Sequence, residues 1–334
     1  MNAVDHNNVV IFDDRGIPSI MCRFVRPKDT EEVPAVFKIG DKVADAIYIS
    51  KYPNIVIDGR AYSMPMADPT VNITFDGAVQ ACRCKGLGWH LMTAVEYEYL
   101  LNQSREKGTM PHGNTDWGKD YYHNDEQGKV SNLGRTYTGT GPVTWNHDHT
   151  PYGVSDLNGN VWEWLAGLRI KDGVIEFIPD NKAASPYCDL SKDSAEWQQA
   201  ETSKGPVRAN VECGEITITD AVAADDYEPD YDGVRIEKLE VELSEIPQVL
   251  KDLGIIPDKR AEEEGKTCVY FDATEGEYMP VRGSAFNNAS NSGPSALNLN
   301  NPRSNSNDNI GFRSALPLCQ EALRLRPQGQ YKQG

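Results

Sequence analysis

The side chains most able to bind a ligand are concentrated in residues 287–309, which we call the Asn-rich window. These 23 residues hold 9 of the 23 asparagines in the sequence. Each asparagine side chain carries a carbonyl acceptor and an NH2 donor, so a dense set of them can hydrogen-bond to many polar groups. Leu297 and Leu299 alternate with Asn298 and Asn300, which predicts a strand with leucines on one face and asparagines on the other. The window is therefore predicted to be a polar display surface on a rigid apolar frame.

A second group of residues able to do chemistry lies in residues 156–164, which read Asp-Leu-Asn-Gly-Asn-Val-Trp-Glu-Trp. Two tryptophans around Glu163 indicate a largely buried segment. A buried glutamate needs a partner, which is a set of backbone N–H groups, a base or a metal ion. Oxygens from Asp156, Glu163 and nearby carbonyls would suit a hard cation such as calcium. A hydrogen-bonded structural glutamate explains the pattern equally well, and the sequence leaves both alternatives open.

The cysteines and histidines form no catalytic or metal-binding motif of the usual kinds. The seven cysteines are scattered and odd in number, which is typical of reduced thiols in a cytosol. Cys82 and Cys84 lie at i and i+2 of a helical pattern, so their side chains point to different faces and are expected to serve packing. His147 and His149 form a short pair on a predicted loop, without the third and fourth ligands that zinc needs. A solvated loop is the favoured interpretation there.

Composition and charge exclude several classes of partner. The chain has 334 residues, a net charge of −17 and a pI of about 4.8. Nucleic acids and anionic membranes need clustered Lys and Arg, so neither is expected as a partner. The longest apolar run is far shorter than the ~20 residues that cross a bilayer. The N-terminus shows no basic segment followed by an apolar one, so we expect no signal peptide and synthesis in the cytoplasm.

Regular elements that would position these residues are visible in the first third of the chain. Residues 1–45 carry short β-branched and aromatic runs that are typical of strands. A first helix is predicted to begin at Thr74 or Asp76, whose side chains can cap backbone N–H groups. A second helix is predicted to begin with a capping box at Thr93 and to end at Gly108.

The middle of the chain is rich in turns and then in acidic residues. Residues 109–155 contain repeated Gly, Asn and Thr turn signals. Residues 170–275 look like an insertion, and residues 225–264 within it hold 14 acidic and 5 basic side chains. Within that stretch, Ser244 is predicted to cap a short helix that Gly254 stops. We expect an ordered accessory element with a solvated acidic face.

Three blocks of the chain resemble the formylglycine-generating-enzyme (sulfatase-modifying factor) branch of the C-type lectin fold. They are residues 156–164, Arg282-Gly283 and Gly311-Phe-Arg313. That family carries Asn-Gly-Asn-Val-Trp-Glu-Trp, Arg-Gly-Gly-Ser-(aromatic) and Gly-Phe-Arg blocks at the matching places. The resemblance covers about residues 47–168 and 278–317, and it implies an α+β fold.

The same resemblance implies what the site would contain. Family members bind structural calcium near the block that holds Asp156 and Glu163, so calcium is the one ion it suggests here. The enzymes of the family use a cysteine pair just after the Arg-Gly-Gly block to bind copper and oxidise a substrate thiol. No cysteine lies between residues 286 and 299 of this chain. The fold can therefore carry over without that activity.

The Asn-rich window itself resembles the variable proteins of diversity-generating retroelements, the class that includes the phage major tropism determinant. In these systems a reverse transcriptase miscopies adenines of a template repeat into the end of the target gene. Asparagine codons carry adenine at their first two positions, and changing those bases yields many residue types and no stop codon. The resemblance implies a fixed frame of Leu297, Leu299, Ile310 and Phe312 beneath displayed, variable side chains at Asn287, Asn288, Asn291, Asn298, Asn300, Asn301, Asn305, Asn307, Asp308 and Asn309.

The expected architecture combines these elements and resemblances. We expect an α+β, C-type lectin-like fold of the formylglycine-generating-enzyme subtype with an acidic insertion. Its predicted parts are an N-terminal β-rich segment at 1–45, the lectin-like domain at 46–320, the insertion at about 170–275 and a tail at 321–334.

The predicted function is that of a hypervariable binding protein, not an enzyme, which recognises a protein or glycan on a host cell surface. Synthesis without a signal peptide fits a phage tail, and it fits a cytoplasmic protein as well. About a dozen variable positions fall short of the roughly 20–30 residues of a standard interface, so copies in a homo-oligomer or beside other phage particle proteins would raise avidity. Two alternatives stay open, a structural phage-particle protein and an oxidase of the family. No cofactor is expected beyond the calcium ion.

Overall fold

The computed structural model describes residues 7–224 and 226–319. The α-helices in these residues are α1 (Phe75–Arg83), α2 (Ala94–Lys107) and α3 (Gln248–Asp252). None of the described helices is long and apolar enough to cross a membrane. The tail predicted at 321–334 lies outside the described residues. Short 3-10 helices lie at Ala35–Phe37, Val143–Trp145, Pro179–Ala184, Ile236–Lys238, Glu262–Lys266 and Ala289–Asn291.

Strands carry most of the regular structure, and two sheets contain most of them. In chain order the strands are β1 (Asn8–Phe12), β2 (Pro18–Val25), β3 (Lys38–Ile39), β4 (Lys42–Val43), β5 (Ala46–Ser50), β6 (Ile55–Ile57), β7 (Arg60–Tyr62), β8 (His90–Leu91), β9 (Trp162–Trp164), β10 (Leu168–Lys171), β11 (Val174–Phe177), β12 (Gln198–Gln199), β13 (Glu201–Thr202), β14 (Gly205–Pro206), β15 (Arg208–Glu212), β16 (Glu215–Thr219), β17 (Tyr231–Arg235), β18 (Glu240–Glu242), β19 (Cys268–Asp272), β20 (Glu277–Arg282), β21 (Leu297–Pro302), β22 (Ile310–Phe312) and β23 (Ser314–Leu318).

The two longer helices begin where the sequence predicts them. The Thr74 side chain accepts a hydrogen bond from the Gly77 N–H at the start of α1. At α2, the Thr93 hydroxyl accepts from the Glu96 N–H and the Glu96 carboxylate accepts from the Thr93 N–H, so the predicted capping box is confirmed. Gly108 ends α2 with a φ of 64°, in the left-handed region that glycine adopts without a Cβ penalty.

The predicted cap of the third helix is wrong. α3 begins after Pro247, and Ser244 makes no capping bond to it. Instead, the Ser244 hydroxyl and backbone N–H both donate to the Asp220 carboxylate. Asp220 also accepts from the Thr202 hydroxyl. Ser244 therefore binds a residue that is distant in sequence and does not cap the helix. Gly254 follows the helix with a φ of 71°, as predicted.

The first sheet joins the two ends of the described chain. Its strand order is β1-β2-β5-β23-β8, so β23 pairs on one side with β5 and on the other with β8. β1 and β2 pair antiparallel, and β2 continues onto β5. The N-terminal strands therefore share a sheet with strands of the predicted lectin-like domain, and the boundary at residue 45 stays a prediction.

The second sheet contains β21, the strand that the window forms. Its main path is β17-β19-β21-β20-β10-β11-β15-β16-β18, and β9 pairs with both β20 and β22. β21 comes from the window and lies between β19 and β20. The strands from β11 to β19 come from residues 170–275, so the predicted insertion extends this sheet on both sides of β20 and β21.

The predicted frame of the window is anchored in both apolar cores. Leu297 and Leu299 belong to the cluster that also contains the buried side of α2. Ile310 and Phe312 belong to the cluster around the tryptophans of β9. All four side chains are buried, and each such burial stabilises the fold by roughly 1.5–3 kcal/mol. The window is therefore held at two points along its length.

Candidate functional site

The window runs from the end of β20 through β21 to the start of β22. Leu297 and Leu299 are 1% and 0% exposed, whereas Asn298 and Asn300 are partly exposed. The predicted alternation of buried and displayed side chains is therefore confirmed. Asn298 pairs in register with Tyr270 of β19, so these two side chains share one face of the sheet.

The ten residues predicted to be displayed differ in accessibility. Asn301 departs from the expectation, because it is only 6% exposed. The other nine are at least partly accessible to a ligand. Exposed are Asn287, Asn291 and Asn307, and partly exposed are Asn288, Asn298, Asn300, Asn305, Asp308 and Asn309.

The asparagines around β21 hydrogen-bond to one another. Asn301 Nδ2 donates to Asn298 Oδ1 at 2.9 Å, and Asn305 Nδ2 donates to Asn301 Oδ1 at 2.7 Å. Asn298 Oδ1 also accepts from the Asn300 backbone N–H at 2.9 Å. Asn301 lies two residues after Leu299, on the buried face of β21. These bonds satisfy its side chain there, and they use part of the hydrogen-bonding capacity of this half of the window.

The two ends of the window meet in space. Asn309 Nδ2 lies 3.5 Å from Asn287 Oδ1, so the residues near position 287 and those near position 309 form one patch. Asn288 Oδ1 accepts the Ala285 N–H at 2.8 Å, which gives this asparagine a structural role in the turn. The exposed residues at both ends of the window therefore belong to a single surface.

A buried ion pair fixes the start of the window. Arg282 Nη1 lies 3.0 Å from Glu98 Oε2 of α2, and both side chains are 1% exposed. Arg282 Nη2 also donates to Ser295 O at 3.4 Å. The next residue, Gly283, has a φ of 90°, and a Cβ added there would lie 2.5 Å from Leu157 O. The Arg-Gly block therefore fixes the backbone that enters the window.

Glu163 has its partner in Arg313, just beyond the other end of the window. Arg313 Nε lies 2.6 Å from Glu163 Oε2, and Nη2 lies 2.5 Å from Oε1, a bidentate arrangement. Nη2 also donates to Ser155 O at 3.0 Å and to Asp156 O at 3.4 Å. The guanidinium thus binds the oxygens that a calcium ion would need, so these residues do not fit the predicted calcium site.

Asp156 is a separate buried carboxyl. It is 2% exposed, and its Oδ2 accepts the Gly139 N–H at 3.1 Å. Burial raises the pKa of Asp156 to about 6, which disfavours the charged form that binds calcium. Within residues 7–224 and 226–319, no group of three or more His, Cys, Asp and Glu side chains is arranged to hold a metal ion. Calcium binding stays a prediction that chelation can test.

His147 and His149, the short histidine pair, hydrogen-bond to different backbone groups. His147 is 3% exposed, its Nδ1 accepts the Val154 N–H at 2.9 Å, and burial lowers its pKa to about 4. His149 Nε2 lies 3.1 Å from Met110 O. The interpretation of this segment as a solvated loop is therefore wrong for His147, which is part of the core.

Sequence reasoning missed a set of aromatic side chains beside the window. They lie in residues 113–123, which we call the aromatic loop. Trp117, Tyr121 and Tyr122 are 59%, 39% and 48% exposed. The Trp117 N–H donates to Phe286 O at 2.8 Å, which ties the loop to the start of the window. Aromatic residues in a turn-rich segment were the available signal, but the sequence does not show which surface the loop packs on.

A cavity of about 310 Å³ opens between the aromatic loop, the window and the insertion. His112 and His123 stack on its wall with their ring centroids 3.6 Å apart. Their Nδ1 atoms pair with Glu126 and Asp120 respectively. Among the described residues that line the cavity there is no cysteine, so they supply no thiolate nucleophile.

Several solved structures are similar to this chain, each at low sequence identity. PvdO from Pseudomonas aeruginosa has a TM-score of 0.40 at 14% identity and covers 93% of this chain and 98% of its own. Treponema denticola variable protein 1 has a TM-score of 0.37 at 11% identity, covering 93% and 99%. The U1 variant of Major Tropism Determinant has a TM-score of 0.31 at 13% identity, covering 93% and 72%.

Sequence comparison identifies the family. The chain is 36% identical over 105 residues to the formylglycine-generating enzyme of Mus musculus, a match that spans 29% of this chain and 27% of that enzyme. The family model described as the sulfatase-modifying factor enzyme 1-like domain matches residues 55–318. This match confirms the predicted α+β, formylglycine-generating-enzyme type of C-type lectin-like fold. The chain belongs to the sulfatase-modifying factor enzyme 1-like family.

Proposed function

We propose that this protein binds a ligand through the Asn-rich window and that a retroelement diversifies the window. The observation that carries the proposal is the alternation on β21, where Leu297 and Leu299 are buried while Asn298 and Asn300 reach the surface. Because the two faces of a strand are encoded by alternate positions, the displayed face can change without disturbing the core. Binding specificity can then vary while the fold stays the same.

The residue types of the window support the same proposal. Nine of its 23 residues are asparagine, and every asparagine codon begins with the two adenines that a retroelement would miscopy. Asp308 is one base away from an asparagine codon. This copy of the window therefore looks close to an unmutated template, and its present side chains carry no selected specificity.

The expected ligand is a protein or glycan on a host cell surface, with particle proteins of a phage tail as further partners. This expectation follows from the resemblance of the window to the variable-protein class. Ten window positions provide fewer contacts than the roughly 20–30 residues of a standard interface. Several copies on one particle would compensate, because linked sites can raise avidity by 10² or more.

An enzymatic function is the second candidate, because the match to the mouse formylglycine-generating enzyme reaches 36% identity over 105 residues. The copper chemistry of such enzymes needs a pair of thiols after the block at Arg282. The sequence has no cysteine from 286 to 299, which counts against this candidate. Stoichiometric copper or iron in the purified protein would favour it.

The decisive experiment is deep sequencing of the 3′ end of this gene and its downstream flank in a natural population. The proposal expects substitutions at adenines in codons 287–309, a near-identical repeat and a neighbouring reverse-transcriptase gene. An invariant window without a repeat would contradict it. The remaining interpretation would then be a structural particle protein with a fixed polar surface.

A further inference from the structure

The aromatic loop places three exposed aromatic side chains beside the window. Trp117, Tyr121 and Tyr122 are 59%, 39% and 48% exposed. Tryptophan and tyrosine are enriched among the residues that dominate binding at protein interfaces. None of the three lies within residues 287–309, so a process that mutates the window would leave them constant.

Specific contacts hold this loop against the window. The Trp117 N–H donates to Phe286 O at 2.8 Å, and the two rings meet edge to face with centroids 5.0 Å apart. The Tyr122 hydroxyl donates to Ser290 O at 3.1 Å. The Tyr121 ring meets the Tyr122 ring edge to face at 5.1 Å. The three rings are therefore fixed relative to the variable residues that follow Phe286.

Trp117 is held in an unfavourable backbone conformation. Its φ of 52° lies in the left-handed region, which is rare for a bulky residue. Such conformations persist only where the surrounding contacts impose them, and they are concentrated at ligand sites. Gly134 leaves room for the indole, because a Cβ added at Gly134 would lie 2.4 Å from Trp117 Cε3. The local structure is thus arranged to present this exposed ring.

We propose that Trp117, Tyr121 and Tyr122 form a constant part of the binding surface and that the ligand is a folded protein. This inference rests on the proposed function of the window. Rigid aromatic side chains next to adaptable Asn and Ser side chains are the combination that antibody paratopes use. The rings supply contact area that all variants share, and the window supplies the specificity that differs between variants.

Two observations favour a protein ligand over a glycan. The constant side chains Trp117, Tyr121 and Tyr122 are exposed, and tryptophan and tyrosine are the residue types that dominate binding at protein interfaces. In addition, neighbouring residues enlarge the surface beyond the ten window positions, toward the roughly 20–30 residues that a protein interface uses. The aromatic loop is the neighbour that the contacts above attach to the window.

The test uses the full chain with the ten window positions randomised and displayed as a library. The library is selected separately against lysozyme as a protein probe and mannan as a glycan probe. Trp117→Ala, Tyr121→Ala and Tyr122→Ala are then introduced one at a time into several lysozyme-binding clones. We expect at least one of them to weaken every clone by about tenfold or more, whatever its window sequence.

Two control variants make the result specific. Tyr187→Ala removes a ring that is 78% exposed but lies outside the aromatic loop and the window, so it should leave the affinity unchanged. Tyr122→Phe keeps the ring and removes the bond to Ser290 O, so it should keep most of the affinity. Melting temperatures of all variants identify any loss that comes from unfolding, and Tyr121→Ala tests the inference should Trp117→Ala fail to fold.

The outcomes separate this inference from the proposed function. Lysozyme-binding clones that tolerate all three alanine substitutions would overturn the inference and leave the proposed function intact. Binders that emerge against mannan alone would overturn it in favour of a glycan ligand. A library that yields binders to neither probe would contradict the proposed function itself, and the inference with it.

Discussion

Arg282 and Glu98 form a buried ion pair that links helix α2 to the border of the window. Arg282 Nη1 lies 3.0 Å from Glu98 Oε2, and both side chains are 1% exposed. Arg105 binds Glu98 as well and lies 2.8 Å from Glu264 of the insertion. These four side chains therefore form a network that connects the helix, the border of the window and the predicted insertion. The charge of Glu98 must be balanced within it, because water does not reach this site.

We predict that Arg282→Ala lowers the free energy of unfolding by about 3–5 kcal/mol, because it leaves Glu98 with less compensation in a buried site. Urea denaturation at neutral pH measures the change. Arg26→Ala is the control, since the pair of Arg26 and Asp45 is partly exposed with 3.5 Å between its nearest atoms. The control should cost less than about 1 kcal/mol. Equal losses in the two variants would show that burial of the first pair has no special effect.

Gly283→Ala is predicted to destabilise the protein more than Gly16→Ala. Both glycines have a positive φ, 90° at Gly283 and 79° at Gly16, so both variants carry a conformational cost of about 1 kcal/mol. At Gly283 the new Cβ would also lie 2.5 Å from Leu157 O and 2.8 Å from Tyr97 Oη, whereas it meets nothing within 4 Å at Gly16. We expect a further 1–3 kcal/mol or so at Gly283.

Thermal unfolding of the two glycine variants measures this difference. A similar shift in melting temperature for both would mean that the backbone at Gly283 moves away from Leu157 without cost. The close approach of these two segments would then not be what fixes the entry to the window.

Features set by neighbouring residues could be predicted from the sequence. The capping box at Thr93 and the burial of Leu299 follow from spacings of two to four residues, and both are present in the structure. The partner of Glu163 could not be predicted, because Arg313 is 150 residues away in the chain. The position of Trp117 beside the window could not be predicted for the same reason. Periodicity shows which face of an element is buried, but it does not show which distant segment covers it.

A buried lysine provides a pH-dependent test of the core. Lys85 is 0% exposed, and its Nζ lies 3.0 Å from Ser19 Oγ and 3.2 Å from the centroid of the Trp89 ring. Burial lowers the pKa of Lys85 to about 7, against about 10.4 in an unfolded chain. Between these two values the unfolded state binds the proton and the folded state does not. Stability should therefore rise with pH across that range.

Lys85→Met is predicted to remove this dependence, because methionine has no proton to gain. The variant should be more stable than the parent by as much as about 4 kcal/mol near pH 6. The difference should shrink steadily between pH 7 and pH 10. Urea denaturation of both proteins at several pH values measures it, and parallel pH profiles would contradict a lowered pKa for Lys85.

Asp156 should change the stability of the fold with pH in the opposite direction, and over a lower pH range. Burial raises its pKa to about 6, against about 3.9 in an unfolded chain, so the folded state binds the extra proton between these values. Stability should fall as pH rises from about 4 to 6 and then stay level. Asp156→Asn keeps an acceptor for the Gly139 N–H and should raise stability at pH 7.5 by up to about 3 kcal/mol, with little effect near pH 4.

The same variant also tests the calcium prediction. Since Arg313 already binds the Glu163 carboxylate and the Asp156 carbonyl, a chelator should leave the melting temperature of the parent protein unchanged. A chelator-dependent loss of stability that disappears in Asp156→Asn would show that the carboxyl binds the ion after all.

The last prediction concerns the buried and displayed faces of β21, which should contribute differently to stability. Leu299 is 0% exposed and Asn300 is partly exposed one residue later. Leu299→Ala should lower the free energy of unfolding by about 2–5 kcal/mol, because it removes buried methyl groups and leaves a cavity. Asn300→Ala should change it by less than about 0.5 kcal/mol.

In a clone selected to bind lysozyme, position 300 should determine the affinity and position 299 should determine the stability. Restoring the template asparagine at position 300 should weaken binding without changing the melting temperature, whereas Leu299→Val should lower the melting temperature with little change in affinity. Affinity and thermal unfolding of the same purified variants measure both effects. A loss of stability on substituting Asn300 would mean that the displayed face contributes to the fold, and such a face could not be diversified freely.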